Sequence, residues 1–303
     1  MPHKAGPLRR APAGLQRDTR ARLTRLATAN PGWRPLLAAL RETLAALREL
    51  DPASFGLQAG VSSALREDGT PLLHGLTLEV DLGRVERLVR RLAIAAGVPG
   101  GQLKGGGPRV LALLEAAMRE DSAMLDSLAR ELERPAGALL VVGRYAAIPL
   151  LHGCATRLAG AIPPSWQPGY CPICGAWPVQ AELRGLEQAR RLRCGRCGAD
   201  WAGEWLRCLF CGERDHGRLG SLVPQLHVAR STAATCSSCN GYVKTMTTLV
   251  PMPVSDLLLS DLETVELDLA ARDRGFVRPG GLGFPLEVRI AARLARPKRL
   301  WRR

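Results

Sequence analysis

The sequence predicts an α+β multidomain protein: an N-terminal all-α helical bundle followed by two small tandem β metal modules of the rubredoxin or zinc-ribbon kind. Two observations lead there. Residues 15–162 repeat apolar side chains at helical spacing between short breaks, and residues 171–239 hold eight of the nine cysteines as four Cys-x-x-Cys pairs.

In chain order, residues 1–14 read as a disordered basic leader, and 15–29 alternate Arg with Leu and Ala at roughly helical spacing. After Asn30-Pro31-Gly32, Leu36, Leu37, Leu40, Leu44 and Leu47 form one apolar stripe on a helix that Asp51-Pro52 ends. Asp81 is placed to cap a helix closed by Gly97. The stretch 97–107 has six glycines and reads as a loop. No Gly-Lys-Ser/Thr follows and a helix precedes it, so a phosphate cradle is not expected. Helices over about 108–119, 121–134 and 138–158 complete the helical domain, 15–162, and Pro163-Pro164-Ser165 marks its end.

The cysteine pairs are Cys171/Cys174, Cys194/Cys197, Cys208/Cys211 and Cys236/Cys239. A two-residue spacer lets both thiolates of a pair face one ion, and two such turns complete a tetrahedral S₄ site. Gly175, Gly198, Gly212 and Asn240 follow the pairs, residues that tolerate the left-handed conformation such a turn needs. The expectation is two metal ions with all eight cysteines as ligands. Nineteen residues separate the first two pairs, ten the second and third, and 24 the last two. This favours sequential pairing, a first ribbon over 165–205 and a second over 206–250, and leaves crossed pairing open. His216 and His227 are spare ligands better read as loop or surface residues. Cys154 and its neighbour His152 read as core residues, as does His74, because helical positions two apart do not face each other.

A periodic element follows over 254–276, with five acids and no base between Thr245 and Ala271. A solvated face explains it most simply, with a partner surface as the alternative. Residues 277–303 read as a basic mobile tail.

The net charge is +14. Residues 1–34 carry +7 and residues 287–303 carry +6, so the 252 residues between them are nearly neutral. That distribution, with 13 aromatics in no evident stacking array, argues against nucleic acid as the partner. Arg184, Arg190, Arg191, Arg193 and Arg196 are expected to offset thiolate charge. No apolar run approaches the roughly 18 residues of a membrane span. Eight paired thiols and no apolar leader suggest metal ligands in a reducing cytoplasm.

The order of the motifs also carries a resemblance. Tyr170-Cys171-Pro172-Ile173-Cys174-Gly175, Pro178-Val179, the knuckles at Cys194 and Cys208 with Trp201 between them, Cys236-Ser237-Ser238-Cys239-Asn240-Gly241-Tyr242-Val243-Lys244, Ser260-Asp261-Leu262 and Leu267-Asp268-Leu269-Ala270-Ala271-Arg272 resemble the formate dehydrogenase accessory protein family, FdhE. The resemblance covers about a third of the chain. It implies a cytoplasmic maturation factor, not an enzyme, that binds the catalytic subunit of respiratory formate dehydrogenase. It also implies rubredoxin-like centres with iron favoured over zinc and a redox role. Thiolate chemistry by itself permits either metal.

Two rival functions remain at the level of sequence. A nucleic-acid-binding zinc-ribbon protein is suggested by the pI of ≈ 10.1. A thiol–disulfide oxidoreductase is suggested by Cys-x-x-Cys, although four knuckle-like pairs point to ligation.

Overall fold

The computed structural model describes residues 13–49, 56–58, 69–98, 106–224 and 230–293. The leader up to 12, loop residues 99–105, His227 and residues 294–303 lie outside that set. Among the described residues, helices α1 (Ala13–Ala29), α2 (Arg34–Glu49), α3 (Leu82–Ala95), α4 (Gly107–Arg119), α5 (Ser122–Leu132) and α6 (Ala136–Leu158) form the N-terminal bundle. Their starts follow local chemistry. Asp81 accepts a hydrogen bond from the Arg84 backbone N–H at 3.0 Å, and Asp121 accepts one from Met124 at 2.9 Å. The apolar stripe of α2 is buried through Leu37, Leu40 and Leu44.

Helix α6 departs from expectation. The segment Ala136–Ala161 is long and apolar enough to cross a membrane by length and composition, although its apolar run was expected to be too short. Its position gives the reason for that composition: 67% of the apolar window is buried against the other helices and the metal region, so it is apolar on every side.

The C-terminal half contains β3 (Gln180–Arg184), β4 (Ala189–Arg193), β5 (Asp200–Ala202), β6 (Leu219–Leu222), β7 (Ser231–Cys236) and β8 (Tyr242–Thr248), then α7 (Val254–Glu263) and α8 (Val265–Asp273). The α+β class is as expected, with helices first and cysteine-bearing β regions after. The two ribbons are in addition joined to each other. They form one six-stranded sheet, β5-β4-β3-β8-β7-β6, joined by parallel pairing of β3 with β8 from Gln180↔Lys244 to Arg184↔Thr248. Each hairpin leaves an unpaired inner edge, and joining the two satisfies both rows of backbone groups.

A further sheet was not foreseen. Strand β1 (Gly56–Gln58) pairs with β2 (Leu76–Val80), which pairs in parallel with β9 (Val288–Ala292). The mobile tail expected from 277 is therefore corrected for its first part. Val288 and Ile290 are buried, and the Ile290 N–H donates to Glu115 of α4 at 3.1 Å. One hydrophobic core also crosses the boundary at Pro163-Pro164. Leu113, Leu114, Leu150 and Leu151 of the helices share it with Ile173, Ala181, Leu192 and Trp201 of the metal region.

The acidic element is a second correction, because its carboxylates are used internally. Arg22 of α1 bridges Asp256 at 2.6 Å and Glu263 at 2.7 Å. Lys244, 3% exposed, meets Asp261 and Asp268 at 2.7 Å each, and Arg278 meets the same two acids. Two cations and two anions thus balance between the sheet and α7–α8. Removing one partner of such a set leaves a buried charge uncompensated, which costs far more than the intact set contributes. Lys244→Met is expected to lower stability by about 3 kcal/mol in urea titration. A change within about 0.5 kcal/mol, the range of ordinary surface substitutions, would show the network to be irrelevant to the fold.

Candidate metal centres

The four knuckles share one backbone pattern. The N–H of the leading cysteine donates to the carbonyl five residues on: Cys171 to Ala176, Cys194 to Ala199, Cys208 to Glu213 and Cys236 to Gly241, at 2.8 to 3.0 Å. In the first three, the glycine that follows the pair donates back to the carbonyl of the leading cysteine. Closing the turn this way requires positive φ at that residue, found as 71° at Gly175, 75° at Gly198, 80° at Gly212 and 55° at Asn240. The turn also aims N–H groups at sulfur, with Ile173 N 3.4 Å from Cys171 Sγ and Cys197 N 3.5 Å from Cys194 Sγ.

Strand register then brings the knuckles together in sequential pairs. The β3–β4 hairpin pairs Gln180 with Arg193, so the first knuckle, before β3, meets the second, after β4. Leu219 of β6 faces Cys236 of β7, which sets the third knuckle against the fourth. The sulfurs of Cys171, Cys174, Cys194 and Cys197 lie within 4.8 Å of one another, and so do those of Cys208, Cys211, Cys236 and Cys239. Contacts across each group are 3.5 Å for Cys171–Cys197 and Cys174–Cys194, 3.7 Å for Cys208–Cys239 and 3.8 Å for Cys211–Cys236. A tetrahedral ion with metal–sulfur bonds of about 2.3 Å holds its ligands about 3.8 Å apart. Both groups are sized to hold one.

Their surroundings differ. All four sulfur residues of the first group are 0% exposed and lie in the shared core. Burial pushes the Cys171 and Cys197 thiols well above their ordinary range, because a lone thiolate has no water to solvate it there. A divalent ion is the group that lets four sulfurs occupy that space as thiolates. In the second group Cys208 and Cys236 are buried and Cys211 and Cys239 are exposed. A cavity of ≈ 300 Å³ opens beside it, lined among others by Trp205, Phe210, Val243, Cys208 and Cys236.

Residues given a bland reading from sequence turn out to hold the first group in place. His152 of α6 donates from Nδ1 to the Cys197 carbonyl at 3.1 Å, and its burial lowers its pKa. Arg196 donates to the Ala117 and Met118 carbonyls near the end of α4 at 3.0 and 2.7 Å. Leu72 and Leu73 donate to the first knuckle at Pro172 and Ile173, and Gly283 and Phe284 donate to Gly175. Cys154 is a fully buried core thiol, pushed up to about 12 by burial. His74 packs edge-on to Phe284, and exposed His216 belongs to neither group.

The arginine cluster mostly faces carboxylates and carbonyls. Arg193 and Arg184 pair with buried Glu182, and Arg191 pairs with Asp200. Arg190 lies beside the Cys208 thiol while donating to the carbonyls of Glu204, Trp205 and Arg207. The aromatic residues, which show no pattern in sequence, form a contiguous series, tilted at Phe284–Tyr170 and edge-to-face at the next two pairs. Phe284, Tyr170, Trp177 and Phe210 run from the first knuckle to the third, with centroid separations of 5.9, 6.0 and 5.2 Å.

No family model matches the chain. Among curated proteins, it is 31% identical over 119 residues to the FdhE homolog of Aquifex aeolicus, covering 37% of this chain and 40% of that protein. It is 34% identical over 115 residues to the FdhE homolog of Stutzerimonas stutzeri, covering 36% and 35%. The match thus spans about two fifths or less of the length of these relatives. The likeness to the crystal structure of the FdhE protein from Pseudomonas aeruginosa is longer, covering 88% of this chain and 94% of that one at 26% identity and a TM-score of 0.55. On sequence and fold together, the chain is similar to proteins of the FdhE family.

Proposed function

We propose that the chain is a cytoplasmic, non-catalytic accessory protein for the maturation of respiratory formate dehydrogenase, and that it binds the catalytic subunit of that enzyme. Similarity to FdhE proteins in sequence and fold supports this reading. We further propose that all eight paired cysteines are metal ligands and that iron is the native ion. When bound, such an ion supplies a one-electron redox centre if it is iron, or a purely structural one if it is zinc. The chain's own contribution is to hold four sulfurs per ion, and at the first group to exclude water.

The docking surface is assigned to the loops around the knuckles. The acidic helices are not that surface, since Asp256, Asp261, Glu263 and Asp268 are engaged within the fold. The near-neutral body favours binding by apolar and hydrogen-bonding contacts over an ion atmosphere. Affinity for the catalytic subunit should therefore survive removal of residues 1–12 and 294–303, and should change little between low and moderate salt. Cutting at 287 is not an equivalent test, because it removes β9. Binding by RNA alone, falling steeply with salt through counterion release, would favour the nucleic-acid reading instead.

Metal content gives two further tests. The double variant Cys171→Ser/Cys174→Ser should hold one ion per chain instead of two. It should also melt at least about 10 °C lower, since ion binding there is part of the folding free energy of the shared core. Two tightly held ions in that variant would refute the ligand assignment. Protein purified anaerobically from iron-replete cells should be red when oxidised and bleach on reduction. A colourless protein holding zinc alone would remove the redox role.

A further inference from the structure

The two cysteine groups share a donor set and differ in access. In the first, no sulfur residue is exposed, and contacts from α4, α6, residues 72–73 and residues 283–284 close over it. In the second, Cys211 and Cys239 face solvent while Cys208 and Cys236 form the inner side. Among the described residues, hydrogen bonds between side chains and turns of the third and fourth knuckles lie on the solvent side of that group. Ser238 Oγ, beside Cys239, donates to Glu213 Oε2 at 2.6 Å, and Glu213 lies two residues after Cys211. Ser237 donates to the Arg218 carbonyl from its backbone N–H at 2.9 Å and from Oγ at 3.2 Å. The cavity reaches the inner side at Cys208 and Cys236.

We propose that the second group is an exchange site for a soft divalent ion, entered and left through Cys211 and Cys239, and that the Ser238–Glu213 contact is the latch that sets its rate. The first group holds its ion as part of the core. The proposal rests on the reading that both groups bind metal. Cys211 and Cys239 would hold the ion on its solvent side and would yield it to an incoming sulfur or nitrogen donor by ligand substitution, each cysteine keeping its electron pair as a thiolate that solvent acid then protonates, with no change of oxidation state. Ser238 and Glu213 position the fourth knuckle against the third and do not touch the ion.

The test uses the full chain loaded with zinc and challenged with excess 4-(2-pyridylazo)resorcinol. The expected release has two phases of one equivalent each, separated by at least about tenfold in rate. Iodoacetamide added after the fast phase should label Cys208, Cys211, Cys236 and Cys239 and spare Cys171, Cys174, Cys194 and Cys197. Native mass spectrometry at that point should show a folded one-zinc chain. Ser238→Ala should speed the fast phase about fivefold, the scale of one typical net hydrogen bond at an exposed site, and leave the slow phase unchanged. Release of both ions in one phase, or first labelling in the buried group, overturns the proposal. An unchanged fast phase in Ser238→Ala overturns the latch. Loading of fewer than two equivalents overturns the metal reading itself, whereas none of these results bears on binding to formate dehydrogenase.

Discussion

Four sulfurs removed from water at the centre of the shared core are the constraint on which the rest of the structure depends. Thiolates without a counter-ion are heavily penalised by burial there. An ion with four thiolates is still a net dianion. Its surroundings therefore supply N–H groups from the knuckle turns, as at Ile173 and Cys197. The same turns expose carbonyls outward, and the helices use them: His152 takes that of Cys197. Gly198 shows how close the fit is, since a Cβ there would lie 2.3 Å from Val254 and 3.0 Å from His152. Ligand geometry, helix packing and the seating of α7 meet at that one residue.

Charge is organised on a second level, between the sheet and the elements that cover it. A chain with 38 arginines would be expected to present a basic body, yet many of its central arginines are consumed by buried or half-buried partners. Glu182, fully buried, takes both Arg193 and Arg184. Asp261 and Asp268 take Lys244 and Arg278, and the Tyr242 hydroxyl donates to Asp268 at 2.8 Å. Such sets contribute little net stability over apolar packing, but they admit few alternative registers. They fix how α7 and α8 lie on β8, which a smooth apolar face would leave free to slide.

Local chemistry was legible in the sequence and long-range pairing was not. Helix starts at Asp81 and Asp121, the stripe of α2, and the left-handed residue after each cysteine pair all follow from interactions within a few positions. The composition of the cysteines and the short link between second and third knuckles pointed to the grouping found. By contrast, β9 joins β2 across more than 200 residues, and β3 joins β8 across 64, from Gln180 to Lys244. Nothing local in Val288–Ala292 distinguishes a strand from a tail that happens to be apolar at alternate positions. The acids of α7 and α8 look solvated in sequence because their cations, Arg22, Lys244 and Arg278, come from three different segments. The carbonyl partner of His152 was not legible for the same reason, since it is 45 residues away.

Fusion of the two ribbons into one sheet bears directly on what each centre is free to do. An isolated ribbon of this size has too little core to fold without its ion. Here the second ribbon has other supports. Its strand β8 is hydrogen-bonded to β3 along five residue pairs, and Ala233 and Tyr242 pack with Ala271 of α8. Phe210 also fixes the third knuckle by packing on Trp177 at 5.2 Å and against Gly241, where a Cβ would come within 2.7 Å of its ring. The platform therefore persists through contacts that do not pass through the metal. The first group has no such independence, because its knuckles are themselves core residues. An ion in the first group would be tied to folding by burial, while sheet fusion would release one in the second group from that duty and leave it at the surface.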